Sequence, residues 1–338
     1  MFEFITASDF HIGALRNVFN DALQKQIVEI NKIYNYALTH GIKYVMIPGD
    51  LTDTSTISDV ELVELIKLFL KYDGHIITYY IAGNHDYFSV KKSSLSVLEC
   101  LCDEGLLQNL HIIRKPEFTR IEGTLVNFMP FPHVSFPESK KPYINFVHLD
   151  VDGAVADNGH IIKVKKDFDF GDGNITISGH NHKYQVIKSK RLIYCGNPYQ
   201  KKFSEELPKG FIVCRSKYKE GKLRVNHEFI NNTPEFALKT LTINSDKDLQ
   251  KLVQSNNIAY KINTGEGVIL PSDLGKRFNI TTVKSSFSAP IITGDYNNEK
   301  TNLRTGLKSY LLNYGLNKKQ LKSAAAMTKE AIRELSLQ

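Results

Sequence analysis

The stretch KYVMIPGD, residues 43–50, decides the fold class of this chain, because it has the pattern of a buried strand that ends in a Gly-Asp turn. The segments on either side, residues 22–41 and 57–72, space their apolar residues as amphipathic helices do, and Ser58 is a plausible cap of the second. Two further strands and a third helix extend the series, at residues 2–8, 75–86 and 93–105. This β-α-β-α-β-α order predicts an α/β fold with a parallel sheet and right-handed crossovers.

Beyond residue 110 the predicted strands follow one another more closely, which is typical of a second sheet with mixed strand directions packed on the first. They are LHIIR (110–114), TLVNFMPF (124–131), YINFVHLD (143–150), ITISGH (175–180), RLIYCG (191–196) and GFIVCR (210–215). A further strand at residues 222–230 is expected to close the domain.

The remainder of the chain is predicted to form two smaller units. After a linker at residues 231–237, a small α/β unit combines strands with one helix, in segments 238–244, 245–255, 257–263 and 279–287. A second linker at residues 288–300 precedes a helical tail. The predicted domains are therefore residues 1–230, 231–290 and 291–338.

Composition and charge restrict the classes to which the chain can belong. A hydrophobic content of 42% and a charged content of 23% are ordinary for a soluble globular protein. No stretch reaches the ~18 apolar residues of a membrane span, and the amino terminus lacks a signal-peptide pattern. The four cysteines form no CxxC pair, which favours reduced thiols in a cytoplasmic protein. A net charge of +7 favours a polyanionic partner such as nucleic acid.

Several predicted strands end in residues that can bind a metal ion. Because the carboxyl ends of parallel strands meet at one crevice, we expect these residues to share a site. They are Asp9 and His11 (SDFHIG), Asp50 (PGDLTD), Asn84 and His85 (GNHD), His148 (NFVHLD), and His180 and His182 (SGHNH). Gly-Asp and Gly-Asn turns also occur for conformational reasons alone. The occurrence of these motifs in order, each at the end of a strand, nevertheless predicts two metal ions, which one carboxylate can bridge through its two oxygens.

The ordered set DxH, GDxxD, GNHD, a single His after a strand, and GHxH resembles the pattern of calcineurin-like metallophosphoesterases over residues 1–200. The stretch YCGNPYQKKFSEELPKGF (194–211) resembles the end of the catalytic domain in their SbcD-type recombination nucleases. The resemblance implies a two-sheet sandwich flanked by helices, followed by a small α/β capping domain and a C-terminal helical tail that docks an ATPase.

The resemblance also implies a role for each candidate residue. One metal would be bound by Asp9, His11, Asp50 and His182, and the other by Asp50, Asn84, His148 and His180. The expected ions are two Mn²⁺, with Mg²⁺ as the alternative. His85 would face the phosphate and stabilise the transition state or protonate the leaving oxygen. Asp86 would orient the His85 ring or cap its own turn, and Asp53 would support the loop rather than bind metal.

The implied function is a metal-dependent DNA exonuclease or endonuclease, the catalytic subunit of an SbcCD-like complex in DNA recombination, repair and replication. The implied partners are DNA, a coiled-coil ABC ATPase of SbcC type bound by the C-terminal helices, and a second copy of the chain. Candidate contacts to DNA phosphates are Lys91, Lys92, Lys201 and Lys202, although solvated surface lysines are the ordinary interpretation. The insertion-like stretch 150–170, rich in Asp and Lys, has no assigned role.

Two other functions stay open. A protein phosphatase or a cyclic-nucleotide phosphodiesterase would share the same ligand motifs and differ only in substrate. A scaffold without enzymatic activity could keep the fold, for example as a DNA-end binder, but such a decayed site would normally have lost a ligand, and here every position is filled.

Overall fold

A computed structural model of the protein describes residues 1–86, 95–165, 167–205, 207–266 and 268–285. These residues fall within one compact unit, Met1–Ser286. The predicted helical tail, residues 291–338, and the candidate DNA contacts Lys91 and Lys92 lie outside the described residues. No helix in the described part of the chain is both long and apolar enough to cross a membrane.

Six strands form the first sheet: β1 (Phe2–Thr6), β2 (Tyr44–Pro48), β3 (Ile77–Ile81), β4 (Leu110–Ile113), β11 (Gly210–Lys219) and β12 (Lys222–Asn231). Their order across the sheet is β12-β11-β1-β2-β3-β4. β1 to β4 run parallel, as the alternation of strands and helices predicts, whereas β11 pairs antiparallel with β1 and with β12.

Three helices pack against this sheet: α1 (Ala22–Thr39), α2 (Asp59–Tyr72) and α3 (Leu95–Asp103). The predicted cap Ser58 is confirmed, because its side chain accepts a hydrogen bond from Glu61 N while the Glu61 side chain accepts one from Ser58 N. Apolar residues of α1 and α2 are buried with those of β2 and β3 in one core cluster, for example Tyr34, Leu65 and Val45. The apolar stripe of each helix therefore faces the sheet, as its 3.6-residue spacing requires.

The second sheet also has six strands: β5 (Glu117–Ile121), β6 (Thr124–Met129), β7 (Ile144–His148), β8 (Ile175–Gly179), β9 (Gln185–Ile187) and β10 (Leu192–Tyr194). Their order is β5-β6-β7-β8-β10-β9. Two segments predicted to belong to the second sheet, β4 and β11, instead extend the first sheet, and β12, which was expected to close the domain, pairs with β11. Their apolar patterns identified them as strands but did not specify which neighbours they pair with. β5 and β9 were not predicted, since β5 is largely exposed and β9 has three residues.

A second core cluster lies between the two sheets and makes the molecule a sandwich. Phe4 of β1 meets Phe146 of β7 edge to face, with ring centroids 5.6 Å apart, and Phe128 of β6 stacks on Phe146 at 5.5 Å. Full burial of such a side chain stabilises the fold by about 1.5–3 kcal/mol. The predicted fold class, a two-sheet sandwich with helices on the outer face of one sheet, is confirmed.

The small α/β unit forms a third, parallel sheet in the order β13-β14-β15, from β13 (Ala237–Ile243), β14 (Ile258–Thr264) and β15 (Asn279–Ser285). The predicted helix 245–255 is a short 3-10 helix, Asp246–Lys251, and an unpredicted turn of helix, α4 (Leu274–Arg277), covers the sheet. The predicted linker is anchored to the first domain, because Asn232 donates to Glu29 Oε2 at 2.9 Å and Phe236 is buried beside Phe19.

Candidate metal centre

All seven predicted metal ligands lie together at one edge of the sandwich. Loops that follow β1, β2 and β3 of the first sheet meet the end of β7 and the loop after β8 of the second. The side chains they bring together are Asp9, His11, Asp50, Asn84, His148, His180 and His182. The site is therefore built from both sheets, at the carboxyl ends of parallel strands.

The first cluster consists of Asp9, His11 and His182. The Nε2 atoms of the two imidazoles are 3.1 Å apart. Asp9 Oδ1 lies 3.9 Å from His11 Nε2 and 4.0 Å from His182 Nε2. The other Asp9 oxygen accepts hydrogen bonds from Ser8 Oγ and from the His180 backbone at 3.1 Å, which fixes the carboxylate. Three donor atoms thus converge on one point.

The second cluster consists of Asn84, His148 and His180. Asn84 Oδ1 lies 3.0 Å from His148 Nε2 and 2.9 Å from His180 Nδ1, and these two nitrogens are 3.3 Å apart. The GHNH doublet is therefore divided between the clusters, with His182 in the first and His180 in the second.

Asp50 lies between the two clusters. Its Oδ2 is 3.6 Å from His11 Nε2 in the first cluster and 3.3 Å from His148 Nε2 in the second. Its Oδ1 accepts a hydrogen bond from the His85 backbone at 2.9 Å. The expected bridge through two carboxylate oxygens is therefore not the arrangement found, because one oxygen faces both clusters and the other supports a turn.

The spacing of the donor atoms fits metal ions. Nitrogen and oxygen ligands about 2.0–2.2 Å from a divalent ion lie about 3.0–3.5 Å from one another. The separations within the clusters, 2.9 to 3.3 Å for the closest pairs, match that spacing. The mixture of imidazole, carboxylate and amide oxygen, with no thiolate, suits Mn²⁺, Fe²⁺ or Zn²⁺.

Hydrogen bonds on the far side of two rings leave the ligand nitrogens facing the clusters. His148 Nδ1 donates to the Pro48 carbonyl at 2.9 Å, so Nε2 is the nitrogen that faces the second cluster. His180 Nε2 lies 3.2 Å from Asp150 Oδ2, so its Nδ1 faces the same cluster. Metal-binding histidines usually have such a partner, which sets the tautomer and the ring orientation.

The buried charges of the site depend on one another. Burial lowers the pKa of His11 to about 4, against the opposing effect of Asp53 and Asp50, so this ring is neutral at pH 7. Burial also disfavours a charged His148, but the adjacent Asp50 carboxylate overcomes it and raises the pKa to about 9. Burial works against the Asp50 charge as well, and His148 and His11 keep the pKa of Asp50 well below its ordinary value. A bound cation would replace the proton shared by this pair.

The backbone is strained at the site. Eight non-glycine residues among those described have a left-handed backbone, and four of them are predicted ligands: Asp9 (φ 57°), His11 (φ 44°), Asp50 (φ 53°) and His180 (φ 79°). Each such conformation costs on the order of 1–3 kcal/mol and persists where the surrounding structure enforces it, which is common at functional sites.

The glycines of the Gly-Asp, Gly-Asn and Gly-His motifs are required by close packing. A Cβ at Gly49 would overlap the His148 ring, one at Gly83 would overlap Asp50, and one at Gly179 would overlap the Pro48 carbonyl. The motifs therefore contain glycine because neighbouring ligands approach the backbone at these turns.

A model of the calcineurin-like phosphoesterase family matches residues 3–184. This range covers more than half of the 338 residues. The chain belongs to this family. It is thus a metallophosphoesterase, a member of a superfamily of phosphoester hydrolases that bind divalent metals, as the motifs predict.

Solved structures that match this phosphoesterase are distant in sequence. GAP50, the anchor in the inner membrane complex of Plasmodium, is 12% identical with a TM-score of 0.43, and the match covers 68% of this chain and 84% of that one. Vps29 from Cryptosporidium parvum is 11% identical with a TM-score of 0.30, over 68% of this chain and 97% of that one. A single mutant of Vps29 from Entamoeba histolytica is 11% identical with a TM-score of 0.29, over 68% and 99%. A search of curated proteins found no significant match.

His85 lies at the phosphoesterase site, but Asp86 does not orient it as predicted. His85 Nδ1 lies 2.6 Å from the Asp53 carbonyl oxygen, which holds the ring. The buried Asp86 carboxylate accepts hydrogen bonds from the backbone of Gly83 at 2.9 Å and of Thr52 at 2.9 Å. Asp86 therefore joins the two ligand-bearing turns, and the alternative role, capping a turn, describes it better.

Two of the lysines predicted to contact DNA, Lys201 and Lys202, differ in their exposure to solvent. The Lys201 side chain is 9% exposed, and its Nζ lies 2.9 Å from both Asp53 Oδ1 and His11 Nδ1. It is therefore part of the site rather than a surface lysine, which corrects its interpretation. Lys202 is exposed and lines the cleft of about 250 Å³ next to Asp50 and His85.

Three acidic residues at the phosphoesterase site were not predicted. Asp150 and Asp157, from the stretch with no assigned role, lie 3.2 Å from His180 Nε2 and 3.5 Å from His182 Nδ1. Glu205 lies 2.9 Å from His182 Nδ1. No local motif distinguishes these carboxylates from solvated ones, because their contacts depend on how distant segments fold together. The resemblance of residues 194–211 to a nuclease segment was the only signal that pointed to Glu205.

Proposed function

We propose that the chain is a two-metal phosphodiesterase that cleaves DNA, the nuclease subunit of a complex of the SbcCD type. The observation that carries this proposal is the single Asp50 oxygen that faces both ligand clusters, with the His85 ring beside it in an open cleft. Two ions bound there would stabilise the charge on a phosphodiester and supply a hydroxide nucleophile at neutral pH.

His85 and Lys201 would have different roles around the phosphate. His85 Nδ1 donates to the Asp53 carbonyl, which leaves Nε2 of a 37% exposed side chain available to the substrate. With a proton on each nitrogen, a ring held in that way can donate a hydrogen bond from Nε2 to a phosphate oxygen or a proton to the leaving oxygen. Lys201, paired with Asp53, adds a positive charge at the same wall of the cleft.

A polar face of the third sheet supports a nucleic-acid substrate. The pairing of β13, β14 and β15 aligns Thr240 with Lys261 and Thr282, and Thr242 with Asn263 and Lys284. Thr240 Oγ1 donates to the Phe203 carbonyl at 3.3 Å, one residue after Lys202 in the cleft. Lysines with hydroxyl and amide groups are typical partners of a phosphate backbone, and the net charge of +7 agrees in sign.

The cleft itself favours a second candidate, a phosphatase or a cyclic-nucleotide phosphodiesterase. A volume of about 250 Å³ is small and would suit a mononucleotide or a phosphorylated side chain as well as one nucleotide of a strand. The substrate assay has to separate these functions, since the metal ligands are common to both.

The decisive assay compares two substrates on the same protein preparation. The intact chain with Mn²⁺ is incubated with linear, hairpin and single-stranded DNA and, in parallel, with bis(p-nitrophenyl) phosphate. We expect His85→Ala to lose activity on both substrates, and Lys202→Ala combined with Lys261→Ala to lose activity on DNA alone. An intact chain that hydrolyses the small ester but no DNA, with any metal or partner, would contradict the nuclease proposal and favour the second candidate.

Removal of residues 231–338 would not separate the two functions. Phe236 and Leu238 are buried in the core cluster of the first domain, and Asn232 is bonded to Glu29. Truncation would therefore expose apolar core and remove two hydrogen bonds from the buried Glu29 carboxylate, those from Asn232 Nδ2 and Glu235 N.

The partners implied by the resemblance belong to the same proposal. We propose that the tail, residues 291–338, docks a coiled-coil ATPase and that the chain pairs with a second copy. Copurification with such an ATPase, followed by nuclease assays with and without ATP, tests the first. Light scattering of the purified chain tests the second.

A further inference from the structure

Glu205 is a buried carboxylate that none of the predicted roles includes. It lies in the segment between β10 and β11, and its side chain is 0% exposed. A carboxylate removed from water in this way requires partners for both oxygens.

The first oxygen of Glu205 contacts a predicted metal ligand. Oε1 lies 2.9 Å from His182 Nδ1. An ionised carboxylate can only accept, so the imidazole proton is on Nδ1. Nε2 then presents its lone pair to the first cluster, where it lies 3.1 Å from His11 Nε2. The other tautomer would direct a proton, instead of a lone pair, at the metal position.

The second oxygen of Glu205 prevents the carboxylate from turning away. Oε2 accepts hydrogen bonds from Asn197 Nδ2 at 2.9 Å and from Lys201 N at 3.1 Å, and pairs with Lys209 Nζ at 2.8 Å. Lys209 is itself 2% exposed. Three donors on one oxygen fix the direction in which the other oxygen faces His182.

The neighbouring Asp157 is a weaker alternative partner for His182. Its Oδ2 lies 3.5 Å from His182 Nδ1, beyond the usual length of such a bond, and its side chain is 19% exposed. Nδ1 has one proton to donate, and Glu205 is both nearer and more fixed.

We infer that Glu205 is a positioning residue that fixes the Nδ1–H tautomer and the ring orientation of His182, and thereby the affinity of the first metal position. This inference rests on the two-metal centre of the proposed function, but it does not depend on which phosphoester is the substrate. Partners of this kind typically change metal affinity by about 10–100-fold.

The first test needs no variant. Long-range ¹H–¹⁵N correlation spectra of the metal-free wild-type protein, assigned through backbone-to-ring correlations, report which nitrogen of each histidine ring is protonated. We expect the Nδ1–H form for His182. A His182 ring in the Nε2–H form would overturn the inference, whether or not any variant folds.

The second test measures metal binding in matched variants. Glu205→Gln keeps an acceptor of the same shape, Glu205→Leu removes it, and Gln200→Met is the control. Gln200 donates to the Glu205 carbonyl at 2.7 Å and pairs with Leu238, so the control disturbs the same segment without touching the carboxylate. Mn²⁺ titrations followed by electron paramagnetic resonance give the number and affinity of bound ions.

The expected result is specific to one metal position. Glu205→Leu should lower the binding affinity of one of two Mn²⁺ ions by about 10–100-fold. Glu205→Gln should lower the affinity of the same ion by less, and Gln200→Met should change neither affinity. Wild-type affinity for both ions in Glu205→Leu, or equal losses in Gln200→Met, would contradict the role. Because the assays contain no phosphoester, failure of the nuclease proposal would leave their outcome unaffected.

Discussion

The two histidines of the GHNH doublet are one residue apart, but they lie in different surroundings. In the first cluster, the His182 side chain is 10% exposed and its carboxylate partner, Glu205, is 0% exposed. In the second, the His180 side chain is 30% exposed and its partner, Asp150, is 46% exposed. A hydrogen bond to a charged group is stronger when water is excluded, because the local dielectric is lower. The carboxylate partner of His182 is thus buried in the protein interior, whereas the partner of His180 is open to solvent.

The difference in partner burial predicts how each cluster responds to mutation of its partner. Removal of a buried partner leaves a buried donor or charge unsatisfied, which costs about 1–3 kcal/mol or more. At an exposed partner, water can take over the lost hydrogen bond. Mutation of the partner of one cluster should therefore lower the metal affinity of that cluster alone. Asp50 is the exception, because its Oδ2 faces both clusters.

The largest effect is expected for Asp50→Asn, because the shared oxygen then loses its charge. Both metal affinities should fall by more than the about 100-fold that an outer partner can cost, and phosphoester hydrolysis should fall to background. Mn²⁺ titration and hydrolysis of bis(p-nitrophenyl) phosphate measure the two effects. Loss of only one ion would show that Asp50 serves a single cluster.

The next largest effect is expected for His85→Ala, which removes a group on the solvent side of both clusters. Loss of a general acid or of a charge-stabilising donor typically lowers kcat by about 10²–10⁴-fold. Both Mn²⁺ affinities should stay near wild type, since the His85 ring is bonded to the Asp53 carbonyl and is not among the cluster atoms. His40→Ala, at an exposed helix end, is the matched control. A fall in metal affinity equal to the fall in kcat would instead make His85 a ligand.

The ligands of the site were predicted from the sequence, but their backbone conformation and the geometry of the bridge were not. The ligands could be found because each lies at or just after the end of an apolar strand, and all but His148 belong to a motif with a glycine, such as Gly49-Asp50 and Gly83-Asn84. The structure brings all of them together. The left-handed backbone at four of them and the single bridging oxygen of Asp50 could not be predicted, since no local pattern specifies either.

Partners and pairings were harder to predict than ligands. Glu205 lies 23 residues after His182 in a segment that reads as a polar turn, and only the fold brings the two together. In the same way, the apolar patterns of β4 and β11 identified them as strands, but both were predicted in the second sheet and lie in the first. Asp86 was in a motif, yet its side chain serves the backbone of Gly83 and Thr52 rather than the neighbouring ring. Local patterns predict what a residue can do, and distant contacts decide what it does.

A smaller effect is expected for Asp150→Ala, which tests the exposed partner directly. Loss of this carboxylate should lower the Mn²⁺ affinity of the second cluster by about 10-fold, the lower end of the range for such partners. Asp150→Asn should cost less, because its amide oxygen can still accept from His180 Nε2. Asp152→Ala is the matched control, since Asp152 is exposed in the same loop and is near the Val164 backbone instead. A loss larger than that in Glu205→Leu would reverse the comparison between the clusters.

The smallest effect on the centre is expected for Ser58→Ala, which removes the cap of α2. Loss of such a cap should lower the free energy of unfolding by about 1 kcal/mol, as measured by urea denaturation against the exposed control Thr56→Ala. Both Mn²⁺ affinities should be unchanged. A different result would be informative, namely a loss of Mn²⁺ affinity at the first cluster alone. Glu61, the partner of Ser58, also binds Arg16 at 3.0 Å, and Arg16 donates to the Gly13 carbonyl at 2.9 Å, two residues after His11. A loss at that cluster alone would mean that its geometry depends on α2 through Arg16, and that burial does not isolate it from the rest of the fold.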